Sequence, residues 1–213
     1  SFEEVQRAIY DEELLLPFEL GRIAPQTYYE GLKKRLRFSW SYEQFFRAWN
    51  GIFNENRDVT ELMKRLRKRH KLLALSNTNV LHLAHIKANF PALSIFDHWV
   101  ASCEVGMRKP EPEIYAFAAK RAGVRPQAAI YIDDRPELVE AGRAAGLKAI
   151  RFESGDQLIE ALRAVGIEVQ DRWNRRGCRM KKSSSCASIS ASRKRFAVRT
   201  VAATPSPSRS RRG

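Results

Sequence analysis

No apolar run in this 213-residue chain approaches the 18 residues needed to cross a bilayer. The longest pure strand-like run is Leu72–Leu75, which excludes a membrane-spanning helix. Ser1–Tyr10 mixes polar and apolar residues and has no apolar centre, so it does not read as a secretory signal. Cysteine is scarce: Cys103, Cys178 and Cys186 are the three, and none has a Cys-x-x-Cys or Cys/His spacing. That argues against a zinc module. An odd count without a secretory signal fits a reducing, cytoplasmic compartment.

Acidic residues are scarce in one region only. Residues 170–213 hold 13 Lys/Arg and one acid, Asp171, a net charge of +12. Residues 1–169 hold 25 Lys/Arg and 23 Asp/Glu, a net of +2. The formal charge of +14 therefore belongs to the last fifth of the chain, and the body is near neutral. The basic segment is rich in Ser, Arg and Ala and shows no periodicity, so it is expected to be a disordered tail. Runs such as Arg193-Lys194-Arg195 attract phosphates, which leaves nucleic-acid binding through residues 170–213 as an alternative function.

Residues 1–68 read as helical. Phe45, Phe46, Trp49, Ile52 and Phe53 form a stripe at three-to-four-residue spacing, and Ser41 with Gln44 predicts a capping box at its start. From residue 69 to 169 the pattern changes to short apolar runs alternating with helices. Leu72–Leu75, Trp99–Ala101, Ala129–Ile132 and Lys148–Phe152 are predicted strands. Helices are predicted over 80–90, 111–122, 136–145 and 156–165, with Pro110 and Pro112 at the start of the second and Gly123 at its end. Strands alternating with helices imply an α/β fold, a Rossmann-like parallel sheet with helices on both faces. Such sheets bind ligands at the carboxyl ends of their strands.

Polar residues fall at those ends. Asp133-Asp134 places two carboxylates after a buried strand, where they are either a magnesium-type cation site or a helix N-cap. Ser76-Asn77-Thr78 follows another strand and offers a hydroxyl and backbone N–H groups to a phosphate, or caps the next helix. Lys109 stands in Gly106-Met107-Arg108-Lys109-Pro110-Glu111-Pro112, a stiff loop. A fixed ammonium there is suited to neutralising phosphate charge, although most lone lysines are solvated surface. His82 and His85 lie three apart on a predicted helix with no third ligand in view, and packing or surface roles are expected of them.

Hydroxyl, then Lys-Pro, then Asp-Asp, in that order, is the motif series of the haloacid dehalogenase superfamily, which residues 1–169 resemble. Leu75–Asn79, Gly106–Pro110, Ile132–Asp134 and Phe18–Ile23 resemble its sugar-phosphate phosphatase branch, with residues 1–68 as a small helical cap and lead-in. The resemblance implies a phosphomonoester phosphatase that uses Mg2+ and an aspartyl-phosphate, on a small phosphorylated metabolite. It implies that Ser76 and Lys109 are catalytic, that Ser76, Asn77, Thr78 and Lys109 bind substrate, and that Asp133 and Asp134 hold the metal. A 2-haloacid dehalogenase is a further alternative, disfavoured by the adjacent acids.

The resemblance also implies an attacking aspartate at the end of a central strand ahead of the cap. Residues 1–20 contain no apolar strand ending in Asp-x-Asp, and Asp11-Glu12-Glu13 sits in a helical pattern. The expectation is a chain without that strand: a fragment or an imperfect gene model at both ends, with little turnover and two exposed strand edges.

Overall fold

The structure is a computed structural model and describes residues 1–169 and 200–203. Five helices come first: α1 (Phe2–Ile9), α2 (Glu12–Glu19), α3 (Pro25–Leu36), α4 (Tyr42–Asn50) and α5 (Arg57–Leu66). Among the described residues no strand precedes β1 (Lys71–Ser76). Then follow α6 (Val80–Asn89), β2 (His98–Ala101), α7 (Ser102–Val105), α8 (Pro112–Ala122), β3 (Ala129–Asp133), α9 (Pro136–Ala144), β4 (Lys148–Arg151) and α10 (Gly155–Ala164). The last described element is β5 (Thr200–Ala203).

The capping chemistry lies where the side chains allow it. Ser41 and Gln44 make the predicted reciprocal box on α4. Pro112 opens α8, and Gly123 closes it in the left-handed conformation. Asn56 and Asn79 cap α5 and α6 through their side-chain oxygens.

Strand alternation builds two layers of core. Leu72 and Ala74 of β1 join Ile130 and Ile132 of β3 on one face, under Leu62, Met63 and Leu66 of α5 and Leu158 and Leu162 of α10. Leu73, Leu75, Ala129 and Tyr131 turn to the other face, against Ile114, Tyr115 and Ala118 of α8. A period of two thus covers both faces with helix, as a buried sheet requires. Each fully buried Leu or Ile contributes about 1.5–3 kcal/mol relative to exposure.

The aromatic residues of α2–α4 make a third cluster, with Phe18, Tyr28, Tyr29, Leu32, Phe45 and Phe46 buried together. Phe18 stacks on Tyr28 with ring centroids 4.3 Å apart. His82 ties this cluster to α6: its ring lies 5.2 Å from that of Trp49, and its Nε2 is 3.2 Å from the Trp49 carbonyl oxygen. Helix α5 packs with the sheet instead.

The sheet order is β2-β1-β5-β3-β4. The pairs β1–β2 and β3–β4 are parallel, but β5 runs antiparallel to both of its neighbours. Two expectations are corrected here. The tail is not disordered throughout, because Thr200–Ala203 is a strand; the rest of residues 170–213 lies outside the described residues. The edges of β1 and β3 that face each other are not bare, because β5 pairs with both. Four residues with little pattern of their own form a strand here because backbone hydrogen bonds are available on both sides. A short segment in a Ser/Arg-rich context carries no local signal of that.

Candidate functional site

Both β1 and β3 run antiparallel to β5, so their carboxyl ends reach one edge of the sheet. Ala74 and Ile132 both stand opposite Thr200, so Ser76 and Asp133 close their strands at nearly the same level. Lys109 comes to this edge from the loop between α7 and α8. Its Nζ donates to Asp133 Oδ2 at 2.8 Å and to the Leu75 carbonyl oxygen at 3.2 Å. Both members of the Lys109–Asp133 ion pair are fully buried. The sequence-predicted lysine and first acid are therefore in direct contact, with Ser76 one residue from the carbonyl that Lys109 also holds.

Lys109 is held from behind by Asn77. The Lys109 N–H donates to Asn77 Oδ1, and Asn77 Nδ2 donates to the Lys109 carbonyl oxygen, both at 2.8 Å. The Lys109–Pro110 peptide bond is cis. Tyr131 is a partner that sequence reasoning missed. Its hydroxyl donates to Asp133 Oδ2, and its ring centroid is 5.5 Å from Lys109 Nζ. Asp133 Oδ1 accepts the Arg135 N–H at 3.0 Å. Tyr131 alternates with the apolar residues of β3, so its place under the site follows from strand period, but a lone Tyr in an apolar run reads as core.

The other predicted residues are placed differently. Asn77 spends its side chain on Lys109. The Thr78 N–H donates to Ser102 Oγ at 2.9 Å, so that donor is already in use. The capping role falls to Asn79, whose Oδ1 accepts from the Leu81 and His82 N–H groups. Ser76 is half-buried, and its hydroxyl makes a long 3.5 Å approach to the Asn77 carbonyl oxygen. Asp134 is exposed at the head of the turn into α9.

Ser102 was not foreseen, although it is fully buried. Its hydroxyl donates to the Glu19 carbonyl oxygen (2.7 Å) or the Thr78 carbonyl oxygen (3.0 Å) while it accepts the Thr78 N–H. It thereby joins the end of α2 to the turn after β1. Glu19 also faces Arg108, with Arg108 Nη2 at 3.6 Å from Glu19 Oε2. Gly21 packs at the same junction with φ +68°. Burial of the adjacent Cys103 pushes its thiol up to about 11, helped by the Glu104 carboxylate.

Chemically, the edge offers a desolvated ammonium, a hydroxyl and two adjacent carboxylates. Among the described residues no group of three His, Cys, Asp or Glu gathers as a metal site. A magnesium-type ion uses one or two protein carboxylates and takes its other ligands from water and substrate. Asp133 and Asp134 fit that modest demand: Asp134 is open to solvent, and Asp133 is oriented by three donors.

Residues 42–146 match the family model of haloacid dehalogenase-like hydrolases. A chloroplast flavin mononucleotide hydrolase of Arabidopsis thaliana is 40% identical over 78 residues, covering 36% of this chain and 32% of that protein. The D-ribitol-5-phosphate phosphatase of Bacteroides thetaiotaomicron is 27% identical over 145 residues, covering 64% of this chain and 70% of that one. The chain thus spans about a third of the first relative and somewhat over two thirds of the second. Among solved structures, a HAD family enzyme of Bacteroides thetaiotaomicron in complex with magnesium and inorganic phosphate superposes with a TM-score of 0.64 at 26% identity. That match covers 72% of this chain and 81% of the other. Fold, motif order and these likenesses agree: residues 42–146 belong to the haloacid dehalogenase-like hydrolases.

Proposed function

We propose that this chain is a phosphatase-type member of its family, built to bind the phosphoryl group of a small phosphomonoester at the carboxyl edge of β1 and β3. The observation that carries the reading is the buried Lys109 ammonium, fixed between Leu75 and Asp133 beside the Ser76 hydroxyl. A buried cation held at one place is suited to the charge of a phosphoryl group and costs no reorganisation when that group arrives.

In this reading Ser76 Oγ donates to a phosphate oxygen, and Lys109 neutralises its charge. Asn77 keeps the Lys109 backbone in register. Asp133 orients the ammonium, with Tyr131 and the Arg135 N–H fixing its two oxygens. Asp134, with Asp133, would hold a magnesium ion, which when bound supplies charge neutralisation at the phosphoryl oxygens. Support for the cation comes from the related structure that contains magnesium and inorganic phosphate. Support for phosphomonoester chemistry comes from relatives named for ribitol phosphate and flavin mononucleotide.

The aspartyl-phosphate route implied by the resemblance needs an attacking carboxylate besides these two. No third acidic group joins Asp133 and Asp134 among the described residues. We therefore propose that the 213-residue chain binds phosphate but turns over little by itself. Phosphate release from a panel of sugar phosphates and flavin mononucleotide, with and without magnesium, tests this. Rates above the buffer blank would contradict the low turnover. The phosphate-binding reading fails if inorganic phosphate leaves the protein's stability unchanged.

A further inference from the structure

A cavity of about 1130 Å3 lies at the opposite edge of the sheet from Ser76 and Asp133. It is lined by the turn from α5 into β1 and by the end of α8 with the segment after it. Lys71 opens β1 and Ser76 closes it, so the two edges are roughly 16 Å apart at about 3.3 Å per residue. Lys68, Lys71, Lys120 and Arg125 all line the cavity and are exposed. Their neighbours on the same turn, Arg67 and Arg69, are paired with Asp97 and Glu168. These four have no ion-pair partner among the described residues. No carboxylate is among the described residues of the lining.

Four unneutralised cations around one concavity repel one another, and the concave shape focuses their potential. The lining between them is apolar, with Ala119 and Val124 in it. Among the described residues its one ring is the half-buried His70 imidazole, with no Phe, Tyr or Trp beside it, so it lacks the row of platforms on which single-stranded bases would stack. The volume is near that of a small-molecule site. Cations around an apolar floor match a compact ligand with several phosphates and an organic body.

We propose that this groove is a second anion-binding site, taking a small organic polyphosphate of the nucleoside polyphosphate class. Its phosphates meet Lys68, Lys71, Lys120 and Arg125, and its organic body lies on the Ala119–Val124 floor. The site is separate from the phosphoryl site proposed above and does not depend on it.

The test uses the full chain and ATP in buffer free of divalent cations. Lysine acylation read by mass spectrometry locates the ligand, and calorimetry measures its affinity. ATP is expected to protect Lys68, Lys71 and Lys120, and to leave Lys33, Lys87, Lys181, Lys182 and Lys194 reactive. Lys71→Glu with Lys120→Glu is expected to weaken ATP at least tenfold with an unchanged circular dichroism spectrum. If that pair unfolds, Lys68→Gln with Arg125→Gln is expected to weaken it about threefold, again with the fold intact. Inorganic tripolyphosphate is expected to bind more weakly than ATP. Protection confined to Lys181, Lys182 and Lys194, absence of binding, or unchanged affinity in the folded variant would overturn the proposal.

Discussion

Asn77 and Lys109 clasp each other across 32 positions of sequence, the amide of one bonded to the backbone of the other through two 2.8 Å hydrogen bonds. The turn after β1 and the loop before α8 are thereby fixed as one unit, and the lysine inherits that rigidity. Asn77→Ala removes both of these bonds to the partly buried Lys109 backbone. Each such loss costs about 1–3 kcal/mol. Urea unfolding should show a loss of about 2–4 kcal/mol, with phosphate binding weakened in parallel. Asn77→Asp, which keeps the acceptor for the Lys109 N–H, should lose about half as much.

The Lys109–Asp133 pair sets up a different pattern. Both side chains are fully buried, so removing one partner strands a charge. Lys109→Met alone should destabilise by about 3–5 kcal/mol, as should Asp133→Asn alone. The double variant should lose clearly less than the two single losses together, measured by a double-mutant cycle in urea. Additive losses would mean that the pair is not coupled.

Gly21 marks the junction of the helical cluster with the sheet. Its φ is +68°, and a Cβ there would meet the Cys103 carbonyl oxygen at 2.3 Å. That contact is with backbone, which cannot rotate away, and the left-handed conformation adds strain for any L side chain. Gly21→Ala should lower the melting midpoint by about 4 °C or more. An unchanged midpoint would show that the junction yields freely.

Cys103 supplies a pH test. Its thiol is pushed up to about 11 by burial, against an ordinary value of 9.0. Between those values the unfolded chain releases the proton and the folded chain keeps it. Stability from this group is therefore full below pH 9 and declines as pH rises towards 11. Alkylation of Cys103 should stay slow at pH 8–9 and climb only near pH 11, followed by mass spectrometry of the modified peptide. A rate already at its plateau near pH 9 would contradict the burial.

Much of this was legible beforehand, for local reasons. The motifs sit at strand ends, and a strand end is readable when an apolar run meets polar residues, as at Leu75-Ser76 and Ile132-Asp133. The capping box at Ser41 and the Pro112–Gly123 bounds of α8 depend only on neighbours in sequence. What stayed hidden depends on distant partners. That the Asn77 side chain clasps the Lys109 backbone is not visible in the turn's own residues. Ser102 and Tyr131 read as ordinary core until Thr78, Glu19 and Asp133 are found beside them. Thr200–Ala203 is a strand only because β1 and β3 leave a place between them.

The central claim is that Ser76, Lys109, Asp133 and Asp134 form one phosphate-binding edge assisted by a divalent cation. Calorimetric titration of inorganic phosphate with and without magnesium tests it most directly, on the native chain, Ser76→Ala and Asp134→Asn. Both substitutions sit at half-buried or exposed positions and should leave the fold intact. Native protein should bind phosphate more tightly with magnesium. Ser76→Ala should weaken binding about tenfold in both conditions, and Asp134→Asn should erase only the magnesium increment. Equal affinities for all three proteins, or no effect of magnesium on any, would contradict the account.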